Sequence, residues 1–312
     1  MTEDEWHACT HPTPMLEFLR GKACDRKLRL FACAYARTGS WLTSFYDVCY
    51  THMYEWSRRQ FELLDEEAQI EAYINGEAFT QPVITVEGAQ AALLALRRPI
   101  HENRECTFQG SPPCTGEGEA AVLLAEQHAD GIASSEKVTE TRRGLKRKQS
   151  EETFGYIACG LSAHRPLEEL KMLLAALAPS GMDAAKSAVS SVCHNFVLVA
   201  ESGPSRALNR EFREPLRRQT LALQADLLRE ICGPLPFQFL SLDPSARAWN
   251  DGTIHKMAQS IYDDCAFDRL PLLADALEDA GCTDAAILSH CRQSGEHVRG
   301  CWVVDLDRKS VV

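Results

Sequence analysis

The sequence predicts an all-α protein, a multi-helix bundle or a loose helical array of short antiparallel helices. Two observations predict it. Apolar residues recur at i, i+3, i+4 and i+7 in most well-defined segments, and residues that start or stop helices punctuate those segments at helix-length intervals. Any β-structure is expected only in a short stretch such as Val303 to Leu306, whose β-branched residues suit strand as well as helix.

Near the N-terminus, Thr13 followed by Pro14 reads as an N-cap and first helical position, and Gly21 lets the chain turn after MLEFLR. A second helix is expected from about Asp25, with Leu28, Phe31, Ala32 and Tyr35 on one face and Gly39 at its end. Trp41, Phe45, Cys49, Met53 and Trp56 continue at nearly fourfold spacing, a stripe that suits a core face. Read functionally, Trp41, Phe45 and Trp56 would line a groove for a partner protein. Asp65 and Thr85 are candidate caps for two further helices.

Residues 99–118 lose all periodicity and are rich in Gly and Pro. They read as a linker or mobile loop between an N-terminal helical region, 1–98, and a C-terminal one, 119–312; a single continuous domain across both is the alternative. The helix AAVLLAEQHAD follows, closed by Gly131, and the polar, basic stretch after it gives a second mobile segment, 134–152. Two helices are expected between Arg165 and Val199, broken at Pro179 and Gly181. A long helix from Ser205 to Cys232 should be kinked or divided at Pro215, with Glu211, Glu214 and Glu230 among the arginines of its solvated face. Gly233, Pro234 and Pro236 stop it.

Signals are clearest towards the C-terminus. Asn250, Asp251 and Gly252 read as a turn with positive φ, followed by Thr253 as a cap. Asp268 is expected to cap a helix that carries Pro271 in its first turn, Leu270, Leu273, Ala274 and Leu277 inward, and Gly281 at its close; Thr283 would cap the next, AAILSHC. From about Asp243 to Leu306 this unit is expected to be the best-packed part of the chain, stabilised by apolar burial rather than by an ion.

Composition narrows the function. With 45% hydrophobic residues in 312 the chain can bury a substantial core, and its net charge of -11 argues against nonspecific affinity for nucleic acid or anionic lipid. There is no leader pattern at the N-terminus and no apolar run near the ~18 residues of a spanning helix, so no membrane partner is expected and a cytoplasmic location is. Thirteen cysteines without one C-x-x-C pair suit buried packing or metal ligation in a reducing compartment.

The main constellation is C-x7-H-C-x5-H-x3-C, formed by Cys282, His290, Cys291, His297 and Cys301. Thiolate and imidazole are zinc's preferred ligands, and four of these five would close a tetrahedral site. His290 and Cys291 are adjacent, about 100° apart on a helix, so both reach one ion only if the helix ends there. A smaller group, His7, Cys9 and His11 with Cys24 and Cys33 downstream, has the same ligand types. The basic run of Lys137, Arg142, Arg143, Lys146, Arg147 and Lys148 is a candidate phosphate contact, though no aromatic residue that could stack a base lies beside it. Nucleophile-elbow, Walker, dinucleotide and H-E-x-x-H motifs are all absent.

The opening MTEDEWHACTHPTPMLEFLRGKACDRKLRLFACA, the segment LAEQHADGIAS and the end, including AFDRLPLLADALEDAGCTDAAILSHCRQSGEHVRGCWVVDL, resemble a multi-copy family of uncharacterised bacterial proteins. The resemblance covers the two ends and leaves the centre; AYARTGSWLTSFYD departs from a stretch that is more basic and cysteine-rich in the family. It implies a helical fold in a cytoplasmic bacterial setting and brings no activity, substrate or cofactor.

The expected function is therefore a helical protein-interaction or regulatory module without catalytic activity, partnered by another protein. It needs no cofactor, and zinc is the ion its Cys/His cluster would take. The alternative is a metal- or thiol-dependent enzyme using that cluster, and the weaker one nucleic-acid binding through 137–148.

Overall fold

The computed structural model describes residues 1–37, 116–159, 165–198, 206–234, 236–238, 240–295 and 297–306, and the architecture among them is all-α, with no strand. The N-terminal body comprises α1 (Glu3–Ala8), α2 (Pro12–Leu19), α3 (25–37), α4 (Gly116–Ala129), α5 (Ser135–Cys159), α6 (Arg165–Ala176), α7 (Gly181–Leu198) and α8 (Arg206–Cys232). A C-terminal unit follows: α9 (Pro244–Ala248), α10 (Thr253–Asp264), α11 (Leu270–Asp279), α12 (Ala285–Arg292) and α13 (Trp302–Asp305), with 3-10 turns at Trp249–Asp251 and Phe267–Arg269. Among the described residues no helix is long and apolar enough to cross a membrane.

Among the described residues two apolar cores form. The first runs from Trp6 to Cys232 and joins residues of α2 and α3 to residues of α4 to α8. On α3, Leu28, Phe31, Ala32 and Tyr35 are all buried, as their spacing requires. Arg29 of the same helix is buried too, and its guanidinium donates to the carbonyls of Ala176, Ala178 and Pro179 at 3.3, 2.7 and 3.2 Å, satisfying the acceptors left at the end of α6. The second core, from Leu242 to Val304, gathers Leu270, Leu273, Ala274 and Leu277 of α11 with Ile287, Cys291 and Trp302. The four α11 residues are those its sequence marked as inward.

Several expectations change. Residues 134–152, expected to be mobile, lie almost wholly in α5, and Val138 and Leu145, seven residues apart on it, are buried. Helix α4 begins at Gly116, inside the expected 99–118 linker. One helix runs through Pro215 without a break. In CWVVDL the residues Trp302–Asp305 are helical. Caps move by one or two residues. His11 rather than Thr13 caps α2, its Nδ1 accepting from the Thr13 amide at 3.3 Å. Arg269, with no side-chain cap bond, replaces Asp268 before α11, and Asp284 replaces Thr283 before α12. The turn before α10 has positive φ at Asn250, Asp251 and Gly252 as expected, but Gly252 occupies the N-cap and Thr253 donates to the Asn250 carbonyl at 2.6 Å.

Body and unit meet along a polar seam. Arg26 of α3 donates to Asp130 (2.9 Å), Asp305 (2.6 Å) and the Tyr262 hydroxyl (3.0 Å), and that hydroxyl donates to Asp130 at 2.8 Å. Lys27 reaches Asp305 at 2.6 Å and the Gly300 carbonyl at 2.9 Å. Arg299 pairs with Glu126 at 3.4 Å and Arg37 with the same carboxylate at 2.7 Å. Burial alone would push the Asp305 carboxyl up; the opposing charges of Lys27 and Arg26 win, and it sits below the usual carboxylate range.

Candidate metal centre

The same seam holds a second polar cluster at the C-terminal end of α8. Helix α8 turns Leu227, Glu230 and Ile231 to one side, at i, i+3 and i+4, and all three are buried. Glu230 is thus part of the buried face rather than of the solvated one that the sequence suggested. Three groups of the C-terminal unit surround its carboxylate. His290, in the last turn of α12, places Nε2 3.2 Å from Oε2, and His297, in the loop after α12, places Nδ1 3.0 Å from Oε1. Cys301, the residue that precedes α13, places Sγ 3.3 Å from the Nε2 of His290.

These four residues offer one donor atom each, all within 4.8 Å of one another, which makes the cluster a group that could hold a metal ion. Exposure of the Glu230, His290 and His297 side chains is 6, 10 and 5%, and Cys301 is fully buried, so solvent does not screen the donors. The His290 and His297 rings meet edge to face with centroids 5.0 Å apart, and His290 lies 5.0 Å from the Trp302 ring. Gln293 sits 3.1 Å from Nδ1 of His290, which orients that ring from outside. Nε2 of His297 is buried and has no hydrogen-bond partner among the described residues.

Electrostatics in the cluster are lopsided. Burial pushes the Cys301 thiol well above its ordinary range, and the Glu230 carboxylate beside it pushes the same way. Burial also works against the Glu230 anion, but its bonds to His290 and then His297 more than offset this and hold the carboxyl below its ordinary value. Two rings and a thiol therefore converge on one carboxylate, and the Nε2 of His297 is the atom of this cluster left without a partner among the described residues.

Of the five residues the sequence singled out, the structure brings His290, His297 and Cys301 together. Helix α12 continues through Cys291 to Arg292, so the 100° between adjacent residues sends His290 to Glu230 and Cys291 into the second core. There burial pushes the Cys291 thiol up to about 12. Cys282 packs half-buried against that core. In the smaller N-terminal group His11 serves as a helix cap, Cys9 donates to the His11 carbonyl at 3.2 Å, and Cys33 is core. The basic run lies on α5, with Arg143, Lys146, Arg147 and Lys148 exposed and Arg142 half-buried. Trp41, Phe45 and Trp56 lie outside the described residues.

Sequence reasoning missed Glu230. The signal was its spacing: Leu223, Leu227 and Glu230 stand at i, i+4 and i+7, which keeps the glutamate on the stripe of the leucines. No protein-family model, no curated protein and no solved structure matches the chain.

Proposed function

We propose that the protein is a metal-dependent helical module in which Glu230, His290, His297 and Cys301 hold one divalent ion, zinc before others, as a structural centre. The observation that supports it most is the convergence of four donor atoms within 4.8 Å from separate parts of the chain. Donor chemistry narrows the ion. One thiolate, one carboxylate and two neutral imidazoles carry two negative charges, which a divalent cation cancels, and net charge is what a buried site tolerates least. Sulfur and imidazole nitrogen together suit zinc better than magnesium or calcium, which take oxygen. A bound ion also removes the difficulty of the buried thiol, because a coordinating thiol gives up its proton.

Four side chains complete a tetrahedral set and leave no position for a substrate, the hallmark of a structural ion. Such a centre builds shape, which accords with an interaction or regulatory module acting on another protein. The test is elemental analysis of the purified chain, followed by cobalt substitution. One ion per chain and a thiolate-to-cobalt charge-transfer band that Cys301→Ser abolishes are expected. Zinc well below one equivalent, with no such band after cobalt addition, would defeat the reading.

A further inference from the structure

The donors are divided between the two parts of the molecule. Glu230 belongs to α8, which supplies Leu227, Leu228, Ile231 and Cys232 to the first core, whereas His290, His297 and Cys301 belong to the unit built on the second. We propose that metal occupancy governs the docking of the C-terminal unit on the N-terminal body, so that the centre is a metal-operated lock between two separately cored parts. This rests on the metal reading above and adds to it what the ion does.

The seam's composition supports the inference. Away from the centre the two parts are tied by charge, through Arg26 and Lys27 on Asp305, Arg26 and Tyr262 on Asp130, and Arg299 on Glu126, beside the apolar contact of Val298 with the first core. Buried ion pairs roughly break even between Coulomb attraction and desolvation, so such a seam specifies one geometry while adding little net adhesion. Interfaces of this polar kind allow their parts to move relative to one another.

Close contact in the seam is made where glycine permits it. A Cβ on Gly233 would stand 2.4 Å from the Trp302 ring, and one on Gly300 would stand 3.0 Å from Leu30. Both have positive φ, at 55° and 94°. The fit is close, and an ion with one ligand on the body and three on the unit favours the docked state by the extra affinity that the fourth ligand, Glu230, supplies.

The experiment uses the full chain with zinc chloride or with EDTA. Hydroxyl-radical footprinting by mass spectrometry reads exposure of Trp302, while far-ultraviolet circular dichroism reads helix content. With saturating free zinc, oxidation of Trp302 should slow relative to EDTA by the factor by which the docked state binds zinc more tightly than the undocked one, roughly tenfold for one added ligand, at unchanged helix content. In Glu230→Ala, which removes the one ligand on the body, zinc should no longer alter that rate. If zinc binds one to one and Trp302 oxidises equally with and without it, the lock is refuted while the metal reading stands. Loss of helix in EDTA together with Trp302 exposure also refutes it, because the ion then holds the unit's fold rather than its docking. Absence of zinc binding to the wild-type chain defeats both.

Discussion

Two polar clusters occupy one seam and solve burial differently. Around Arg26, the cations of Arg26 and Lys27 face the carboxylates of Asp130 and Asp305, and the Tyr262 hydroxyl accepts from one side and donates to the other. That cluster balances with protein groups alone. Around Glu230, two imidazoles and a thiol crowd one carboxylate, and a buried ring nitrogen of His297 has no partner among the described residues. Both lie between the same two cores, so the difference is one of chemistry rather than place. A buried cluster that closes on itself is a structural joint, whereas the Glu230 cluster, with one buried nitrogen unpaired, is a group that could hold an ion.

The contrast breaks most severely at the joint. Asp305→Ala leaves Arg26 and Lys27 buried without their shared carboxylate, and the expected cost is about 3–5 kcal/mol in urea denaturation, the same with zinc and with EDTA. The same carboxyl sets an acid limit. Its folded-state pKa is depressed, so its contribution is fully present above the ordinary carboxylate pKa of about 4 and is lost as the pH falls through the folded value. Wild type should therefore lose stability on acidification more steeply than Asp305→Asn. A zinc-dependent cost for Asp305→Ala would show that the two clusters are not independent.

Next in size is the second core. Leu273 is buried on α11, and Leu273→Ala should cost about 2–5 kcal/mol in either metal state. At the centre, by contrast, His297→Ala with Cys301→Ser should forfeit about 2.7 kcal/mol when zinc stands a hundredfold above its dissociation constant, and much less in EDTA. This comparison also decides the expectation that apolar burial, not an ion, stabilises the unit. Should the double variant unfold the unit while Leu273→Ala is mild, burial is the lesser contribution.

The sequence made the helices legible where apolar spacing was strong, as in α3 and α11, because burial on one face leaves a period of 3.6. It was faint in α5, where Val138 and Leu145 are buried in a polar stretch and make too weak a stripe to mark a helix. At the centre it marked His290, His297 and Cys301, which lie close together in sequence, and not Glu230, which stands 60 residues before His290. Local spacing carries ligands that share a segment; a ligand supplied by another helix depends on tertiary packing, which no spacing rule encodes. The glutamate's own position on the leucine stripe was the one trace, and a charge there more often marks a solvated edge.

The smallest effect separates position from stability. Asp284 caps α12, its Oδ1 accepting from the amides of Ala286 and Ile287 at 2.9 and 3.2 Å. Asp284→Ala should cost about 1 kcal/mol, the usual value of a lost cap. Its effect on the two clusters should differ. Helix α12 carries His290 in its last turn, while the partners described for Arg26 lie on other elements, so fraying α12 should weaken zinc binding and leave the acid limit set by Asp305 where it was. Zinc titration by calorimetry and a pH series of urea midpoints check the two halves separately. If the acid limit moves and zinc affinity does not, α12 supports the seam as a whole, and the division into a self-sufficient joint and a proposed metal centre is drawn in the wrong place.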